Sequence, residues 1–335
     1  MDKRCSFYDL LRLLACLMIV MMHSPLPGKE GDGLFLSSIS YLTAPGIGLF
    51  FMVSGTLLLP VKLDTRSFLW KRFVKIALPT MLWTLLYLCC NVWMKDGNIT
   101  WRNILSVPFS AQGNPVLWFI YTLLGLYLLA PILSRWLAVA NRKELEFYLC
   151  LWAVTLCYPV LRLFLDINSS NTGVLYYFSG YVGYFLLGYY LKTYPERVSY
   201  RWLLPAFLLS MVIPAVCKWK NIEIDFYSMF WYLSVFVAIQ CVFWWKLVGS
   251  LSFRWTSKME RSVLSEVSKL TFGIYLVHIF IMRYLLWKWD FILGIHTYWV
   301  QTVTIIIFTF VGSLIITYLI SLFPFAKYLI GYQRG

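Results

Sequence analysis

Long apolar runs recur along the whole chain and are separated by short polar intervals. A helix that crosses a bilayer needs about 20 predominantly apolar residues. Runs near that length predict helices over residues 7–24, 41–60, 73–94, 116–134, 147–165, 174–191, 202–217, 226–245, 270–288 and 298–322. No interval between them is long enough for a soluble module. We therefore expect an all-α, polytopic membrane protein of about ten transmembrane helices, forming a single domain over residues 1–335.

Basic residues suggest how these helices are oriented. Most of the 29 Lys and Arg residues fall at the two termini and in every second loop. Because short loops rich in Lys and Arg stay on the cytoplasmic side, both termini are predicted to be cytoplasmic. The alternate loops carry few cations, among them Arg283 and Lys288, whereas Arg12 and Arg162 are placed inside apolar spans. Topology thus accounts for the net charge of +14, and no nucleic-acid partner is expected.

The composition also indicates a membrane protein, and the sequence lacks the motifs of several common kinds of metal and catalytic site. The chain is 60% hydrophobic and 13% charged, with a mean hydropathy of +0.71, which is far from a soluble domain. Its eight cysteines show no metal-ligand spacing, so we expect no metal. We also expect no bound cofactor. The sequence contains no G-x-S-x-G elbow, H-E-x-x-H helix or phosphate-binding G-x-x-x-x-G-K-[ST] loop.

Arg12 and His23 are the most informative polar residues, because both lie in the first predicted helix. At about 100° and 1.5 Å per residue, eleven steps return to within about 20° of the same face, about 16 Å further along the axis. Ionisable groups at membrane depth are costly and usually mark a functional path. His23 suits a general base, although it could instead be an interfacial histidine bonded to a loop. Asp9, three residues before Arg12, could form an ion pair with it or favour the helix N-terminus.

A basic cluster follows at the cytoplasmic end of the third predicted helix, in FLWKRFVKIALP. Arg72 and Lys75 are three residues apart, which predicts a paired cationic face, and Lys71 is adjacent. Such a face suits a phosphate or pyrophosphate group. Retention of cations on the cytoplasmic side explains the same residues equally well.

Other residues are weaker candidates. In PGIGLFFMVSG the glycines favour close helix packing, and Ser54 offers a hydroxyl. In SKLTFGIYLVHIF, Tyr275 and His278 share a helix face and could relay a proton or touch a substrate, or His278 could simply be satisfied by a neighbouring helix. Trp118 and Tyr121 could form an aromatic platform for a sugar, or mark the membrane interface.

Taken in order, these segments resemble the integral-membrane acyltransferase 3 family. The resemblance runs from YDLLRLLACLMIVMMH through FFMVSG, FLWKRFVKIALP, LWFIYTLLGLYLLAPIL and YVGYFLLGYYL to SKLTFGIYLVHIFI. The family pattern of an arginine, ten residues and a histidine falls on Arg12 and His23, which implies that they are the essential pair. Its R-x-x-R falls on Arg72 and Lys75, where lysine replaces the second arginine and removes a bidentate fork.

The resemblance implies an O-acyltransferase of the bacterial cytoplasmic (inner) membrane. Its donor would be cytosolic acyl-CoA, commonly acetyl-CoA, which acts as a co-substrate. Its acceptor would be a hydroxyl of an envelope or surface carbohydrate or of a lipid-linked glycan, with membrane lipid as the surrounding partner.

Two other classes remain open on the residues. A transporter or flippase for a glycan or lipid-linked intermediate would use the polar helix face as a conduction path, although neither intramembrane carboxylates nor inverted repeats are evident. In a membrane sensor or scaffold, Arg12 and His23 would only pair with other helices.

Overall fold

A computed structural model describes residues 3–27, 33–95, 98–167, 172–222, 225–252 and 258–334. Within these ranges all regular secondary structure is helical, which confirms the predicted all-α class. Seven described helices are long and apolar enough to cross a membrane: Ser38–Leu58, Thr65–Met94, Pro115–Leu137, Arg142–Leu161, Tyr200–Trp219, Ser262–Lys288 and Tyr298–Ser321. The count of ten spans and the cytoplasmic termini stay predictions.

The chain divides by its internal contacts into two compact units. The first consists of Met1–Met22, Glu30–Pro60 and Ile132–Leu264, and the second of His23–Lys29, Val61–Pro131 and Ser265–Gly335. Each unit draws on several separate segments of the chain, and the single domain over 1–335 stays a prediction.

The first unit is built around two helices whose backbones touch. Its helices are α1 (Lys3–His23, ending in the second unit), α2 (Gly33–Thr43), α3 (Pro45–Leu58), α8 (Arg142–Leu161), α9 (Val182–Thr193), α10 (Tyr200–Trp219), α11 (Phe226–Phe230) and α12 (Val235–Ser252). A Cβ on Gly55 of α3 would overlap the carbonyl of Phe185 on α9, and one on Gly188 of α9 would overlap that of Met52. Gly55 therefore serves the close helix packing that the sequence predicted, and Gly188 does the same from α9.

The second unit contains two long helices that each include a π-helical segment. Its elements are α4 (Thr65–Arg72), the first π segment (Phe73–Ala77), α5 (Leu78–Lys95), α6 (Trp101–Ser106), α7 (Trp118–Leu137, ending in the first unit), α13 (Lys258–Ile279, beginning in the first unit), the second π segment (Phe280–Leu285), α14 (Asp290–Leu293), α15 (Tyr298–Ser321) and α16 (Ala326–Ile330). In the two π segments backbone bonds reach five residues back, from Leu78 to Phe73 and from Leu286 to Ile281. π segments are rare and frequently occur at functional sites.

Local polar residues set where several helices begin. The Asp64 carboxylate accepts a hydrogen bond from the Ser67 amide at 2.9 Å and caps α4. The Asn141 side chain accepts from the Glu144 amide at 3.0 Å and caps α8. These caps fix the two helix starts at positions that hydrophobicity alone does not define.

Two predicted spans are not continuous helices. In the span 174–191, Gly180 has φ +88°, a conformation that breaks an α-helix, and α9 begins only at Val182. In the span 226–245, α11 ends at Phe230 and α12 begins at Val235. The Ser234 hydroxyl accepts from the Val237 amide at 3.3 Å, which favours a new helix start there.

Two arginines also lie elsewhere than the sequence indicated. Arg162, predicted to lie within a span, follows the end of α8, and its Nε donates to the Ile167 carbonyl at 3.3 Å. Arg283, counted among the loop cations although the predicted span 270–288 includes it, is part of the second π segment. The predicted span is therefore helical at this residue, because the helix that begins at α13 continues through a change of pitch.

Candidate active site

Two imidazoles lie together in the second unit. His23 is the last residue of α1, and its ring centroid is 5.7 Å from that of His278, with the ring planes 29° apart. His278 is fully buried. The sequence predicted each histidine separately, and the tertiary structure makes them neighbours.

The His278 ring is held in one orientation by its own helix. Its Nδ1 lies 2.6 Å from the carbonyl oxygen of Tyr275. A carbonyl only accepts hydrogen bonds, so Nδ1 carries the proton and, in the neutral ring, Nε2 carries a lone pair. Nε2 is buried and has no hydrogen-bond partner among the described residues. Tyr275 contacts His278 through its backbone carbonyl and through its ring, whose centroid is 5.4 Å from that of the imidazole, while its hydroxyl donates to the Val116 carbonyl at 2.5 Å.

Arg283 is the third member of this cluster, and the sequence pattern did not indicate it. It interacts electrostatically with both His23 and His278. Its guanidinium carbon lies 5.7 Å from the centroid of the Trp287 ring. Arg283 Nε and Trp287 Nε1 are both buried without a hydrogen-bond partner among the described residues. The cluster thus contains three buried nitrogen atoms available to a ligand, one from each of His278, Arg283 and Trp287.

The second π segment explains why periodicity did not reveal Arg283. In a regular α-helix, five residues correspond to about 500°, so Arg283 would lie about 140° from His278. A π-turn contains one residue more than an α-turn, which removes about 100° and leaves the two side chains about 40° apart. Arg283 consequently points to the histidine side of the helix.

Tyr87 accounts for the change of pitch. Its fully buried hydroxyl donates to the Leu276 carbonyl at 2.7 Å and accepts from the Phe280 amide at 3.1 Å. These are the two groups that a regular α-helix would join directly. A side chain inserted between them interrupts the helix at the residue where the π segment begins.

Arg72 borders a cavity of about 1100 Å³ within the second unit. One wall comes from α4 and the first π segment, the other mainly from α7, and the lining includes Arg66, Trp70 and Phe73. The Arg72 guanidinium carbon is 5.4 Å from the Phe68 ring and 5.7 Å from the Tyr127 ring. Its Nε is buried without a hydrogen-bond partner among the described residues. The cavity is therefore mostly apolar, with cationic groups in its wall.

Lys71 and Lys75 do not line this cavity. Both are exposed, whereas Arg72 is half-buried. The π segment begins directly after Arg72 and includes Lys75, so the two residues do not follow the α-helical spacing on which the predicted paired face depends. Of the three predicted donor-binding residues, the structure brings only Arg72 into the cavity wall.

Arg12 and Asp9 form a long ion pair on α1. The Arg12 Nη1 and Asp9 Oδ1 atoms are 4.0 Å apart, as the spacing of three residues predicted. Both residues belong to the first unit, as does Ser54, which is half-buried on α3. Arg12 shares the uninterrupted helix α1 with His23.

Trp118 and Tyr121 lie near the start of α7. The Tyr121 hydroxyl donates to the Val107 carbonyl at 2.6 Å and lies 3.0 Å from the Thr84 hydroxyl. The hydroxyl thereby links α7 to the Val107 segment and to α5, so it has a structural role. Trp118 is half-buried, and the acceptor role of the two aromatics stays a prediction. In the described part of the chain, no group of three or more His, Cys, Asp or Glu side chains could hold a metal ion.

The helices and their composition define a multi-pass membrane protein. Within that class, the model of the acyltransferase 3 family, described as an acyltransferase domain, matches residues 6–321. The chain therefore belongs to this family and is an acyltransferase, as the sequence resemblance predicted. No curated protein and no solved structure matches the chain.

Proposed function

We propose that the protein is an O-acyltransferase of the bacterial inner membrane. It moves an acyl group from cytosolic acyl-CoA to a hydroxyl of an envelope carbohydrate, and we expect this group to be acetyl. Family membership supports the acyl transfer. The observation that carries the catalytic assignment is the His23 ring lying 5.7 Å from the buried His278 ring, with Arg283 acting electrostatically on both.

The donor binds by its phosphates at the cavity beside Arg72. A guanidinium forms charge-assisted hydrogen bonds with phosphate oxygens, and the unpartnered Arg72 Nε is available for one. Trp70, Phe73 and Tyr127 offer aromatic surface for the adenine ring. Lys71 and Lys75, exposed nearby in sequence, contribute positive potential that attracts the anionic donor.

His23 acts as the general base. It takes the proton of the acceptor hydroxyl as the hydroxyl oxygen attacks the thioester carbonyl carbon. The carbon–sulfur bond then breaks, CoA leaves as the thiolate, and the proton passes from His23 to that sulfur. The products are the carbohydrate ester and free CoA. Arg12, on the same helix and paired with Asp9, guides the donor toward His23.

The test is acyl transfer from labelled acetyl-CoA by the purified protein in proteoliposomes supplied with envelope glycan. A positioned general base contributes about 10²- to 10⁴-fold, so His23→Ala is expected to lower kcat by that factor while donor binding persists. The control is His296→Ala, because His296 is an exposed histidine outside the cluster.

Two outcomes contradict the proposal in different ways. Near-normal turnover by His23→Ala removes His23 as the base and leaves the family assignment intact. If the wild-type protein instead moves a glycan or lipid-linked intermediate across the bilayer and forms no ester, the transporter class replaces the transferase.

A further inference from the structure

We propose that His278, Arg283 and Trp287 form the subsite that binds the acceptor, and that this subsite selects a carbohydrate carrying neighbouring hydroxyl groups. The inference rests on the proposed function and adds the residues that recognise its acceptor. It is separate from Trp118 and Tyr121, whose acceptor role stays a prediction.

Three buried nitrogen atoms lack hydrogen-bond partners among the described residues: His278 Nε2, Arg283 Nε and Trp287 Nε1. Burying a polar group without a hydrogen bond costs free energy, so nearly all buried polar groups in folded proteins have a hydrogen-bond partner. A bound ligand can supply the partner that the protein does not. Three in succession on one helical segment form a set of potential ligand contacts.

The hydrogen-bonding character of the three atoms selects the ligand. Arg283 Nε and Trp287 Nε1 can only donate, whereas His278 Nε2 in the neutral ring accepts, because Nδ1 already donates to the Tyr275 carbonyl. A carboxylate or phosphate can satisfy the two donors but has no hydrogen for Nε2. A hydroxyl both donates and accepts, so two neighbouring hydroxyls on one molecule can satisfy the whole set.

The aromatic surface and the position of the cluster point to a sugar. The Trp287 ring carries the Arg283 guanidinium at 5.7 Å and provides a flat apolar surface of the kind that packs on the C–H face of a sugar ring. His23 lies beside His278, with ring centroids 5.7 Å apart. A sugar held by His278 and Arg283 therefore presents a further hydroxyl to the proposed base.

The experiment measures how the acyl group is partitioned between sugar and water. Native membrane vesicles containing the protein receive radiolabelled acetyl-CoA, and label is counted in the envelope glycan and in free acetate. His278→Asn keeps a donor for the Tyr275 carbonyl but has no atom at the Nε2 position. Trp287→Phe keeps an aromatic ring but removes the indole N–H.

Loss of one hydrogen bond of about 0.5–1.5 kcal/mol corresponds to about two- to twelve-fold in binding. We expect both variants to raise the ratio of acetate to glycan label by about that factor. The acyl donor site and the His23 base remain in place, whereas the sugar is bound less tightly and water competes for the acyl group. His278→Gln, whose amide oxygen can accept near the Nε2 position, is expected to restore part of the glycan label. The control His296→Asn, at an exposed position, is expected to keep the wild-type ratio.

Each contrary outcome has a separate meaning. An unchanged ratio in His278→Asn and Trp287→Phe overturns the subsite, as does a parallel fall of both products, which would indicate a general loss of structure or of catalysis. Absence of both products with the wild-type protein instead rejects the proposed function itself. Equal label in glycan for His278→Asn and His278→Gln rules out Nε2 as the contact.

Discussion

The Tyr87 hydroxyl controls where Arg283 points, and Tyr87→Phe tests this directly. The variant keeps the buried ring and deletes the group that bridges the Leu276 carbonyl and the Phe280 amide. If nothing replaced the hydroxyl, the buried Leu276 carbonyl and Phe280 amide would each lack a hydrogen-bond partner. Each unsatisfied group would lower stability by about 1–3 kcal/mol. A direct bond between those two groups avoids this cost and restores regular α-helix. We therefore expect the helix to close rather than to stay open.

Closure removes the extra residue of the π-turn and rotates the following side chains by about 100°. Arg283 then moves from about 40° to about 140° away from His278 around the helix axis. The melting temperature should fall, because the buried side chains of Ile281, Met282 and Leu286 rotate together with Arg283 and lose their packing. The ratio of acetate to glycan label should therefore rise. Arg283→Gln, which removes the guanidinium group itself, should raise the ratio to a similar extent.

A double-mutant cycle separates positioning from a general loss of packing. If Tyr87 acts by orienting Arg283, adding Tyr87→Phe to Arg283→Gln should change the product ratio no further. Tyr184→Phe is the matched control, because it also removes a fully buried tyrosine hydroxyl that donates to a backbone carbonyl, that of Tyr232 at 2.7 Å. A wild-type product ratio in Tyr87→Phe, or multiplicative effects in the double variant, would refute the reasoning.

Two further predictions concern the donor and the packing of the first unit. Arg72→Ala should raise the KM for acetyl-CoA by about 10- to 150-fold, as expected for loss of a charged hydrogen bond of about 1.5–3 kcal/mol. Arg201→Ala, which removes an exposed cation, is the control. Equal KM values for the two variants would contradict a phosphate contact by Arg72. Gly55→Ala should lower stability by about 1–3 kcal/mol or more, because its Cβ meets the Phe185 carbonyl. Gly125→Ala, with nothing within 4 Å, should be neutral or stabilising by up to about 1 kcal/mol. Thermal unfolding in detergent compares the two glycine variants, and equal losses would argue against the packing of α3 on α9.

Much of the helical architecture could be predicted from the pattern of apolar residues. The helices α8, α10 and α15 begin and end within about five residues of their predicted bounds, because burial in lipid requires long apolar segments. The pattern failed at Gly180 and Ser234, where apolar residues continue on both sides of a break. Hydrophobicity measures the preferred surroundings of a side chain and does not report the backbone conformation that a glycine or a capping serine permits.

For the candidate site, residue spacing was enough to predict that Arg12 and His23 share one helix, that Asp9 lies within reach of Arg12, and that Arg72 is a cation at the end of an apolar span. These relations follow from local helical geometry, which the chain carries in its spacing.

The packing of helices from distant parts of the chain brings His278 beside His23 and places Arg283 where it acts electrostatically on both rings. Spacing could not predict this, because the pitch of that helix depends on the Tyr87 hydroxyl, which belongs to α5 and enters the backbone ladder after Leu276. A period of 3.6 residues assumes an unbroken ladder. No local pattern in SKLTFGIYLVHIF reveals an insertion made by a residue almost 190 positions earlier in the chain.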